Sequence, residues 1–94
     1  MAIKTWACEQ TRAIFEGESP SLVSPNVLKR ATMKLLMLNA VKELRDLRSP
    51  PANRLEKLRG NREGQYSIRI NKQYRICFVW RGGDAYQVEI VDYH

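Results

Sequence analysis

The side chains best equipped for chemistry in this chain are cations, and they are gathered in one stretch. Between Arg54 and Arg81 stand eight basic residues (Arg54, Lys57, Arg59, Arg62, Arg69, Lys72, Arg75 and Arg81) against two acidic ones, Glu56 and Glu63. The rest of the chain holds eight basic against eight acidic, so the whole +6 excess lies in that one stretch. Concentrated positive charge points to a polyanionic partner, nucleic acid first and an acidic protein second. One histidine, three aspartates and two cysteines far apart, Cys8 and Cys77, supply a metal site poorly. Their spacing fits neither a disulfide framework nor a zinc site. No cofactor is expected.

The elements that must hold these cations are written in the hydrophobic period. Ninety-four residues with 44% apolar and 28% charged content predict one domain, 1–94, with a single modest core. No apolar run reaches the roughly 20 residues of a bilayer span, and the first residues lack a signal peptide's apolar centre. A cytoplasmic protein is expected. Ile3 to Trp6 alternates as a short opening strand. Ala7 to Glu16 repeats at helical spacing and Gly17 is its stop. Ser24-Pro25 reads as an N-cap with proline in the first helical position. Leu28, Ala31, Leu35, Leu38, Val41 and Leu44 then predict a helix from about Pro25 to Leu44 with one broad apolar face. The Pro50-Pro51 pair breaks the chain. After it the period becomes two: a short strand near Leu55–Leu58, a second through Tyr66, Ile68 and Ile70, a third over Tyr74–Trp80, a Gly82-Gly83-Asp84 turn, and a last strand over Ala85–Asp92.

Two helices followed by a meander predict an α+β fold, the helices packed on one face of a small twisted, mainly antiparallel sheet. Arg69 alternates with Ile68 and Ile70 and must point away from the core. Arg75 is out of phase with Tyr74, Ile76 and Phe78 and is expected to share an open face with Arg69. The glycine-flanked loop Arg59-Gly60-Asn61-Arg62-Glu63-Gly64 is able to bring Arg59 and Arg62 over it. A concave sheet lined by arginines suits a single strand of RNA.

The strings RLEKLRGNREGQY and SIRINKQYRICF, with the closing VEIVDYH, resemble the HigB toxins of the RelE/ParE superfamily. The similarity runs through the whole chain, including the IKTW start and the LRSPPANRL joint. It implies a type II toxin of RelE-like fold: a ribosome-dependent, metal-independent endoribonuclease that enters the ribosomal A site and cuts mRNA through the ribose 2′-hydroxyl. It further implies a HigA-type helix-turn-helix antitoxin, with operator DNA bound only by the complex, and no membrane partner. Carried over by position, the catalytic residues fall on Arg59, Arg75, Asp92, Tyr93 and His94, and RNA contacts on Lys57, Arg62 and Arg69. Two positions depart from the pattern: several relatives carry lysine where Arg59 stands, and some carry histidine where Glu56 stands.

Those departures matter because metal-free RNA cleavage needs a base, an acid and cationic donors on the phosphate. Arginine suits the third role through its planar, always-charged fork and is unfit for the first, its pKa lying above about 12. His94, with an ordinary imidazole pKa near about 6.5, is the expected proton-handling group, Asp92 its orienting partner, and Glu56 a secondary base. The competing class is a non-catalytic ParE-like gyrase poison or another binding module on the same fold. A binding module has no need of Arg59, Arg75 and a D-Y-H end together; a nuclease does.

Overall fold

The computed structural model describes residues 2–92. Helices α1 (Glu9–Phe15) and α2 (Pro25–Ala40) precede a four-stranded meander, β1 (Glu56–Lys57), β2 (Tyr66–Arg69), β3 (Tyr74–Arg81) and β4 (Asp84–Asp92). The strand order is β1-β2-β3-β4 and every neighbouring pair is antiparallel. This is the α+β arrangement expected from the pattern. Ile14, Leu35, Leu38, Leu47, Ile68, Ile76, Phe78 and Val88 are fully buried in one core between the helices and the sheet. Each such side chain stabilises the fold by roughly 1.5–3 kcal/mol relative to exposure. Gly82 and Gly83, at φ 60° and 84°, make the two-residue turn between β3 and β4, which demands positive φ at both positions.

Two expectations need correction. The opening strand is reduced to two isolated parallel bridges, Ile3 to Ala85 and Trp6 to Val88. Between them β4 is bulged: its pairing with β3 shifts between Cys77 and Val79, and Gln87 sits at φ 53°. A bulge breaks the ladder on both sides of a strand. The second helix stops at Ala40 rather than Leu44, because Val41 turns extended (φ −74°, ψ 149°). Leu44 instead begins a 3-10 turn, Leu44–Arg48, opened by a capping box in which the Glu43 amide donates to Asp46 Oδ2 at 3.3 Å. Val41 and Leu44 still pack against the core, so the apolar period outlasts the helix that it marks.

A buried asparagine holds the joint that leads into the sheet. Asn53 closes a second short 3-10 turn, Pro51–Asn53, and is wholly buried. Its Nδ2 donates to the carbonyls of Leu47 at 3.1 Å and Ser49 at 3.3 Å, and Lys34 Nζ on α2 donates to its Oδ1. The next residue, Arg54, is left-handed at φ 44°, and this turns the chain into β1. Asn53→Ala removes these bonds and strands the buried Leu47 carbonyl. It is expected to cost about 2 kcal/mol, read as a lower midpoint in urea unfolding with an unchanged slope.

Candidate functional site

Alternation along β3 sends Tyr74, Ile76, Phe78 and Trp80 to the helix side and Arg75, Cys77 and Val79 to the other. Register sets Arg69 directly opposite Arg75, and aligns Ser67, Cys77 and Glu89 in one row across β2, β3 and β4. The predicted parity of Arg69 and Arg75 is therefore observed. The openness of that face is not. Arg75 is 6% exposed. Its Nε donates to Ser67 Oγ at 2.7 Å and an Nη2 to the Arg54 carbonyl at 2.6 Å. Its Nη1 lies 3.5 Å from Glu56 Oε1. The left-handed turn at Arg54 aims that carbonyl inward, and the short strand β1 brings the carboxylate alongside.

The loop after β1 closes over the same row. Arg62, at the end of the 3-10 turn Gly60–Arg62, reaches Glu89 on β4 with an ion pair of 2.7 Å and donates to Gln65 Oε1 at 3.1 Å. In strand order this bridge crosses β2 and β3, and beneath it Ser67 and Cys77 are fully buried. Burial pushes the Cys77 thiol up, against the pull of the Arg62 cation; Glu89 raises it further and Arg75 opposes. Those three charges feel one buried sulfur, as expected of groups on one face. The concave open sheet becomes a roofed one, because Arg75 meets Glu56 from the edge strand and Arg62 meets Glu89 across the sheet.

The remaining expected residues divide. Arg59 and Lys57 are exposed beside this loop. Arg69 is half-buried, its Nε donating to the Asn71 carbonyl at 3.1 Å, and it lines a groove against α2 rather than the Arg62–Glu89 bridge. Asp92 pairs with Tyr74 across β4 and β3, which puts it in phase with the helix side of the sheet, and accepts from Gln73 Nε2 at 3.0 Å. Tyr93 and His94 lie outside the described residues.

The family model for HigB-like toxins, described as RelE-like toxins of the type II toxin–antitoxin system HigB, matches residues 6–94. The chain belongs to that family. It is 43% identical to Toxin HigB-1 of Vibrio cholerae over 72 residues, 76% of each chain. It is 30% identical to Endoribonuclease HigB of Proteus vulgaris over 92 residues, 98% of this chain and 99% of that one. Among solved structures, the YoeB–YefM complex from Staphylococcus aureus contains a chain of the same fold. Its TM-score is 0.59 at 19% identity, with 98% of this chain and 94% of that one covered. The Staphylococcus aureus YoeB dimer gives a TM-score of 0.55 at 20% identity, covering 100% and 97%. As a type II toxin the protein has an antitoxin for a partner. No described helix is long and apolar enough to cross a membrane.

Two members of the cluster on this face, Ser67 and Glu89, were not among the residues that the sequence singled out. The signal for Glu89 is its place between the buried Val88 and Ile90, which sends its carboxylate to the face that Arg75 shares. Ser67 carried no such signal, since a serine in a strand is ordinary until an arginine from the next strand is found donating to its hydroxyl. The burial of Cys77 yields a direct test. In the native protein a thiol reagent is expected to label Cys8, which is half-exposed, and to spare Cys77 until denaturant is added. Mass spectrometry of the labelled protein checks this; equal labelling of both would show that the roof over Cys77 opens freely.

Proposed function

We propose that this toxin is a cytoplasmic endoribonuclease that cuts mRNA on the translating ribosome, through the ribose 2′-hydroxyl and without a metal, and that a HigA-type antitoxin neutralises it. The observation that carries this reading is the pairing of two oriented arginines with two carboxylates on one face: Arg75 with Glu56, and Arg62 with Glu89. The activity in the name of the Proteus vulgaris relative supports it.

In this mechanism the scissile phosphate exchanges places with the carboxylates. Arg75 is held by Ser67 and Arg54 from behind, so its charge is aimed without further ordering when RNA arrives. Arginine forks then meet phosphate oxygens as charge builds in the transition state. Displaced Glu56 or Glu89 stays close to the ribose and takes the proton of the 2′-hydroxyl as that oxygen attacks the phosphorus. The bond to the 5′-oxygen breaks as that oxygen gains a proton. By family resemblance His94 or Tyr93 supplies it, with Asp92 at the same chain end but on the helix side of the sheet. Arg59 and Lys57, exposed on the approach, hold the flanking backbone. A small site without a preformed acid–base pair leans on the ribosome to position the substrate, a contribution of roughly 7–11 kcal/mol when geometry is right.

Primer extension on an mRNA, with and without its translation, tests the reading. Cleavage is expected only when the message is translated; rapid cutting of naked RNA would exclude the ribosome-dependent form. Arg75→Ala is expected to lose about a hundredfold in cleavage rate. Because the side chain is buried, it is also expected to unfold earlier, so rates are compared below the unfolding midpoint of the variant. Full activity there would remove Arg75 from the chemistry. His94→Gln is expected to lower cleavage while ribosome binding persists, since binding rests on the cationic surface between Arg54 and Arg81. Unchanged cleavage would shift the acid role to Tyr93.

A further inference from the structure

A second cationic feature lies apart from the Arg62–Arg75 face. A groove of about 840 Å³ opens between α2 and the turn joining β2 to β3. Lys29, Arg30 and Lys34 line it from the helix, Arg54 from the joint, and Arg69 and Lys72 from the strand end and turn. No carboxylate is among its lining residues, and neither are Arg59, Arg62 or Arg75. The other cationic face holds its own carboxylates; this one assembles like charges without any. Lys34 registers the consequence: burial first, then the Arg30 cation, holds its ammonium below the ordinary lysine range.

The groove is also apolar. Met33, Met37 and Ile70 share its walls with the cations. Met33 is 59% exposed, and Leu36, one helical turn further along α2, is 52% exposed. Among the described residues these are the two large hydrophobic side chains left in solvent. Spacing of three puts them side by side on the helix surface. Methionine adapts its shape to an incoming apolar side chain and is favoured on surfaces that accept one.

These two properties together select the kind of ligand. A nucleic-acid strand would use the cations, but its bases stack on aromatic rings, and no aromatic residue lines the groove. Met33 and Met37 would then gain nothing from it. A peptide segment with aliphatic side chains on one side and carboxylates on the other uses both. We propose that this groove is a docking site for an acidic, amphipathic segment of a protein partner, its aliphatic residues on Met33 and Met37 above the buried Ile70 and its carboxylates on the surrounding lysines and arginines. The proposal stands whether or not the Arg62–Arg75 face cuts RNA.

The probe is a synthetic fluorescent peptide with leucines at helical spacing and glutamates elsewhere, titrated into the full chain and followed by anisotropy. Two competitors are included, the same peptide with glutamine for every glutamate and oligouridylate. The acidic peptide is expected to bind, and the glutamine peptide to bind more weakly. Lys29→Glu combined with Arg30→Glu is expected to weaken binding by about tenfold or more, because each reversal replaces an attraction with a repulsion. Met33→Ser is expected to weaken it as well, which a purely electrostatic surface would not show. All three positions are exposed, and circular dichroism confirms that the variants remain folded. Amide shifts on peptide addition should cluster at 29–37 and 69–72. The proposal is overturned if the peptide does not bind, if the double reversal leaves its affinity unchanged, or if oligouridylate binds at 29–37 in its place.

Discussion

The guanidinium of Arg75 is the contact on which the rest of the site depends. It ties Ser67 on β2 to the carbonyl of Arg54 in the joint and to Glu56 on the short edge strand, and so reinforces the Glu56–Ser67 register pair that begins the β1–β2 ladder. A two-residue strand has too few ladder bonds to hold an edge by itself, so β1 needs an anchor from inside the sheet. A buried charge in turn needs every partner that it can find. The two needs are met by one residue, and an arginine is suited to both because its donors fan out in a fixed plane.

The anchor works only because the joint delivers the Arg54 carbonyl at the right place. Asn53 does this from below, joining Leu47, Ser49 and α2 around one buried amide. The line of support therefore runs from α2 through Asn53 and Arg54 to Arg75, and from there to the loop that carries Arg59 and Arg62. Arg54 faces two ways: its carbonyl holds the candidate catalytic arginine, while its residue lines the α2 groove.

The two cationic regions differ in how their charge is balanced. On the sheet face Glu56 and Glu89 neutralise the arginines, which makes that face compact and its arginines oriented. In the α2 groove no carboxylate does so, and the surrounding surface is apolar. The first arrangement suits exchange with a phosphate; the second suits a partner that brings its own acidic groups.

Local periodicity was enough to determine the α+β order, the span of α2 to within one turn, the strands β2 to β4, and the shared parity of Arg69 and Arg75. These follow from side-chain spacing along a helix or strand, which is a one-dimensional property. Where the chain closes on itself is not. Nothing in the alternation of β3 or β4 announces that Arg62 will cross two strands to reach Glu89, so an expected open face is a roofed one. The linear charge count misled in the same way: it assigned the whole excess to Arg54–Arg81, yet Lys29, Arg30 and Lys34 come from the stretch that summed to zero. Their own carboxylates lie elsewhere in space, and only the packing of α2 beside the β2–β3 turn puts those cations next to Arg54, Arg69 and Lys72. Charges act through distance in the folded protein rather than along the chain, and that distance was for the tertiary structure to decide.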